Sequence, residues 1–60
     1  MNNYRVDVSR RCDAHYKIEF PEWYLAKMFA ERVSQEEDVT GVYILERISD
    51  KSFDISKKIK

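Results

Sequence analysis

Cys12, Asp13 and His15 bring a thiol, a carboxylate and an imidazole within four positions, in the stretch RRCDAHYK that begins at Arg10. A nucleophilic thiolate with its base and a metal site are the two chemistries this grouping suggests. Cysteine catalysis needs an imidazole held at fixed geometry, an oxyanion hole and a cleft that excludes water. The chain has one cysteine, one histidine and 60 residues in which to build all three. Structural zinc takes four ligands, usually from paired Cys or His positions, and this stretch supplies three at most. The expected roles are therefore ordinary: Cys12 in a solvated turn and His15 on the polar face of a strand. Glu36, Glu37 and Asp38 are the other candidate group. General acid–base work requires carboxylates in unlike environments, which a contiguous surface run does not provide. Gly41 is the only glycine, so no glycine-rich phosphate loop is encoded. No catalytic, cofactor-binding or metal-ligating residue is assigned, and the expectation is a protein that is not an enzyme.

The elements that position these residues follow from hydropathy. Tyr4, Val6 and Val8 alternate with Arg5, Asp7 and Ser9, and Tyr16, Ile18 and Phe20 alternate with His15, Lys17 and Glu19. This period of two marks strands with one dry and one wet face. The polar link between them has hairpin length but no Asn-Gly or Asp-Gly turn, which favours a longer or bulged connection. Pro21 and Glu22 suit the first turn of a helix. At about 100° per residue, Leu25, Ala26, Phe29, Ala30 and Val33 then share an arc, with Trp23 at its edge. Phe29 is expected at the centre of that buried face. SQEEDVTG ends the helix, with Gly41 available for a left-handed turn. VYILERIS (residues 42–49) reads as a third strand, DKS as a turn and FDISKKI (residues 53–59) as a fourth.

The order ββαββ predicts one domain over residues 1–60, of α+β class, with one helix packed on one face of a four-stranded sheet. A β-grasp-like strand order 2-1-4-3, with the first and fourth strands parallel at the centre, is the economical arrangement. In length and order of elements the chain resembles the immunoglobulin-binding domains of streptococcal protein G. That resemblance implies the fold alone and transfers no binding residue. A split β-α-β sheet and a swapped dimer are the alternatives.

Composition bounds the function classes. At 43% hydrophobic and 37% charged, with one Gly and one Pro, the chain is suited to folding and not to disorder. Eleven basic and eleven acidic residues cancel, so no global field favours nucleic acid or an anionic membrane. A single cysteine forms no internal disulfide, which points to a reducing, cytoplasmic setting. The longest apolar run, VYIL, is too short for a membrane span.

Two kinds of surface remain. Arg10, Arg11, Lys57, Lys58 and Lys60 converge on one pole if the first and fourth strands are parallel. Glu36, Glu37 and Asp38 are expected at the same pole, where they would neutralise it, and no interleaved aromatics are present for base stacking. Nucleic-acid binding through Arg10, Arg11, Lys57 and Lys58 is thus the alternative reading. The leading one is protein binding. If Val42 and Ile44 face the helix, Tyr43 and Leu45 break an otherwise polar outer sheet face, on a third strand expected at the sheet edge. Tyr24 and Met28 form a second patch on the outer side of the helix. The expected function is a small non-enzymatic module that binds a protein partner or itself. Its size and lack of catalytic equipment suit an inhibitor or accessory factor of the sort that phage and mobile elements encode.

Overall fold

The computed structural model describes residues 2–60. Strands β1 (Tyr4–Arg10) and β2 (His15–Phe20) precede helix α1 (Trp23–Val33), and β3 (Val39–Ser49) and β4 (Ser52–Lys58) follow it. The α+β class and the ββαββ succession are as the sequence predicts, but the strand order is β2-β1-β3-β4 and every neighbouring pair is antiparallel. The expected order 2-1-4-3 is therefore incorrect: β3 lies at the centre and β4 at an edge. Because β2 and β3 both run antiparallel to β1, the β2-α1-β3 unit is a split β-α-β with β1 between its strands. The physical reason lies in VYIL. Val42 and Ile44 are fully buried on one face and Leu45 is buried on the other, and a strand buried on both faces belongs inside a sheet. The FDISKK stretch, with two lysines, suits an edge.

The β1–β2 connection is a bulged hairpin. Arg10 N–H donates to the Ala14 carbonyl at 2.8 Å and Asp13 N–H to the Arg10 carbonyl at 3.0 Å, while Asp13 adopts φ 65°. This is the three-residue loop that ends in a left-handed position, which Asp tolerates better than most residues. The helix starts later than Pro21 suggests. Glu22 is its N-cap, with extended backbone (φ −133°, ψ 148°) and no side-chain capping bond, and Trp23 is its first residue. Gly41 also departs from expectation: it lies within β3, buried and without a positive φ. The chain turns before it instead, through N–H hydrogen bonds donated by Gln35 to the Arg32 carbonyl, by Glu36 to that of Val33 and by Val39 to that of Glu36.

Val6, Val8, Val42, Ile44 and Val39 from the sheet meet Ala26, Ala30 and Val33 from the helix in one core. The alanines let the helix backbone approach the sheet closely. Phe29 is half-buried rather than central, and packs at the side of this core against Phe20, with ring centroids 5.5 Å apart. On the opposite flank Trp23 meets Tyr4 edge-on at 5.6 Å. The helix thus lies across β1, β2 and β3, with its Phe29 side toward the β2 edge.

Candidate interaction surfaces

The outer sheet face is built from residues that are paired across the strands. Leu45 stands opposite Arg5 on one side and Ile55 on the other, and Arg47 stands opposite Phe53. Cross-strand partners share a face, so Phe53 and Ile55 lie on the outer side with Tyr43 and Leu45. The polar outer side expected of the fourth strand is thus corrected. One reason is a register shift between Ile44 and Leu45, where Ser56 is the extra residue, and a second falls between Arg47 and Ser49. Bulges of this kind reset which residues face which side.

The guanidinium carbons of Arg5 and Arg47 lie 4.8 and 4.6 Å from the centroid of the Phe53 ring. Arg5 is also held by a bidentate pair to Asp7 at 2.8 and 3.2 Å, and Arg47 approaches Glu19 at 3.6 Å. Arg47 further donates to the carbonyls of Asn2 and Asp50, at 2.8 and 2.7 Å. Leu45 is only 7% exposed, so it is part of this layer's packing and has little surface to offer. Tyr43 is half-buried, and Ile55, at 64% exposed, is the open apolar side chain of the face.

The helix offers a second surface. Tyr24 and Met28 are 56% and 64% exposed. Beside Met28 runs an open groove lined by Leu25, Phe29, Glu31, Arg32 and Gln35. Since Phe29 touches Phe20 of β2, the groove faces the β2 edge, where Ile18 is half-buried. The groove is half apolar, with Leu25, Met28 and Phe29 beside Glu31, Arg32 and Gln35. Sequence periodicity could not find it, because Leu25 and Phe29 read as core residues of the same arc.

The segment after the helix gathers Arg10, Arg11 and Lys60 but not Lys57 and Lys58, which the sequence reading expects at the same pole. Arg10 Nη1 donates to Glu36 at 2.8 Å and to Asp38 at 2.9 and 3.0 Å, and its Nη2 donates to the Tyr16 hydroxyl at 3.1 Å. These contacts raise the Arg10 pKa above its already high value, Glu36 foremost, then Tyr16 and Asp38. Arg11 donates its amide to the Asp38 carbonyl and its guanidinium to that of Glu37. Lys60 Nζ reaches the carbonyls of Ser34 and Glu36 at 3.1 and 3.3 Å, the favourable charge for a helix C-terminus. Lys57 and Lys58 sit opposite Ile44 and Tyr43 on β4.

Cys12 is exposed in the hairpin loop. His15 opens β2, where its Nδ1 lies 3.0 Å from Ser9 Oγ. The structure places the two apart in role: one in the loop, the other in a cross-strand polar pair. No cluster of three or more His, Cys, Asp or Glu side chains suited to a metal ion occurs among the described residues. No helix among them is long and apolar enough to cross a membrane.

No protein-family model, curated protein or solved structure matches the chain.

Proposed function

We propose that this chain is a small non-enzymatic protein-binding module that acts on its partner by contact. The observation that carries the reading is the open groove beside exposed Met28, where Leu25 and Phe29 are left uncovered on the side of the helix that packs toward β2. Apolar side chains gathered at a sheet edge offer both area to bury and backbone groups to pair. Tyr24 is exposed one turn before Met28 on the helix, and Tyr43 and exposed Ile55 lie on the outer sheet face. The engagement of Arg10, Arg11 and Lys60 by the segment after the helix weighs against a phosphate-binding pole.

Retention of a partner by the immobilised protein, with and without nuclease, tests this reading. Leu25→Ser with Met28→Ser is expected to lose a nuclease-resistant partner, whereas Tyr43→Ser with Ile55→Ser keeps it. Binding that vanishes with nuclease and with the fourfold change of Arg10, Arg11, Lys57 and Lys58 to Ala would replace the reading with nucleic-acid recognition.

A further inference from the structure

Of the two sheet edges, β4 is blunted. It carries the bulge at Ser56 followed by Lys57 and Lys58, a combination that discourages strand addition. The β2 edge carries no bulge along His15–Phe20, where its ladder to β1 is in unbroken register, and its two exposed formal charges, Lys17 and Glu19, are opposite in sign.

The direction of its free backbone groups follows from the hairpin. Arg10 N–H donates to the Ala14 carbonyl, so Arg10 and Ala14 form a hydrogen-bonded pair. Such pairs alternate along an antiparallel ladder. Tyr16, Ile18 and Phe20 therefore spend their backbone groups on β1, while Lys17 and Glu19 aim theirs outward.

Paired antiparallel with itself about a two-fold axis at Ile18, β2 sets Lys17 opposite Glu19 twice, and these are the residues with outward backbone groups. The same register sets Ile18 against Ile18 and Tyr16 against Phe20, in the closer, non-hydrogen-bonded positions. Moving the axis to Lys17 would oppose Lys17 to itself. Charge, backbone direction and apolar pairing thus select one register. On the helix side, the two grooves bordered by Leu25 and Phe29 would face each other across the seam.

We infer that the occupant of the β2 edge is a second copy of this chain, joined β2 to β2 in an eight-stranded antiparallel sheet with Ile18 on the symmetry axis. The inference rests on the protein-binding reading and names its partner.

Sedimentation equilibrium of the full chain tests it. The wild type should dimerise reversibly. Lys17→Glu and Glu19→Lys each place like charges opposite one another at two symmetric positions, and each should raise the dissociation constant roughly ten-fold. An equimolar mixture of the two variants should recover wild-type association as a heterodimer, because both cross-strand pairs again become opposite in sign. Recovery on mixing also excludes misfolding as the cause of the loss. Isotope-filtered nuclear Overhauser contacts between Ile18 side chains of differently labelled copies should be present in the dimer.

A wild type that stays monomeric at millimolar concentration overturns the inference, as does a dimer indifferent to both substitutions. If such a monomer still retains a nuclease-resistant partner through Leu25 and Met28, protein binding stands and self-pairing falls. If it retains none, both fall.

Discussion

Asp13 is the one non-glycine residue with positive φ among the described residues, and it shows how far a single position can be read. Its loop has the length of a hairpin, and the lack of an Asn-Gly or Asp-Gly pair suggests a longer or bulged connection, of which the bulge is the one that forms. Which residue takes the left-handed conformation depends on the register of the flanking strands, which a local pattern does not reveal. Asp13→Gly should relieve the steric cost of that conformation and stabilise the fold by about 0.5–1 kcal/mol, measured by urea denaturation. Asp13→Val should be destabilising, since a branched side chain tolerates positive φ least. Gly41 is the converse case. It looks like the residue reserved for a left-handed turn, yet a Cβ there would meet Ser9 Cβ and a Tyr43 ring atom at 3.8 Å, which is ordinary contact. Gly41→Ala should therefore add about 0.5 kcal/mol of stability by restricting the unfolded chain. A loss on that substitution would show that β3 needs glycine for a reason other than space.

Among the elements, those with one wet and one dry face were legible: β1, β2 and the helical arc through Ala26, Ala30 and Val33 lie as their periodicities indicate. The C-terminal hairpin was not, for two physical reasons. A continuous apolar run gives no period from which to read sidedness, and the two register shifts between β3 and β4 reset the alternation of β4. Phe53 and Ile55 consequently point away from the helix. This placement has a measurable result, because Phe53 is flanked by Arg5 and Arg47 beside the buried Leu45. Phe53→Ala should cost about 2 kcal/mol, combining two partly exposed cation–π contacts with the loss of packing beside Leu45. Tyr43→Ser should cost less. Equal effects would mean that the arginines hold their positions through Asp7 and Glu19 alone. Of the candidate surface residues, exposed Tyr24 and Met28 were legible from the helical wheel. The groove beside them was not, since Leu25 and Phe29 read as core residues of the helical arc.

For the whole molecule, the sequence led to the right class and the wrong strand order. Both orders satisfy the same alternation, and they differ in which hairpin strand is buried on two faces. Ile44 is the largest fully buried side chain, in the central β3 and against the helix. Ile44→Ala should cost about 2–5 kcal/mol, comparable to the roughly 3–5 kcal/mol available to a core of this size. Loss of the folded state by circular dichroism is the expected outcome, and a well-folded variant would contradict the central position of β3. That central position also determines how the domain carries load. Arg47 N–H donates a hydrogen bond to the Asn3 carbonyl at one end of the sheet, while Lys60 and Val42 exchange backbone hydrogen bonds toward the other. β1 and β4 run in the same direction, each against β3 and on opposite sides of it. Tension applied between residues 3 and 60 therefore pulls along the strands and loads both ladders in shear, with many hydrogen bonds sharing the strain before any breaks. A handle moved from residue 60 to the β3–β4 turn at Asp50 would place both attachment points at the same end of the sheet. In optical-trap measurements that geometry should peel β1 from β3 one bond at a time and yield at a lower force.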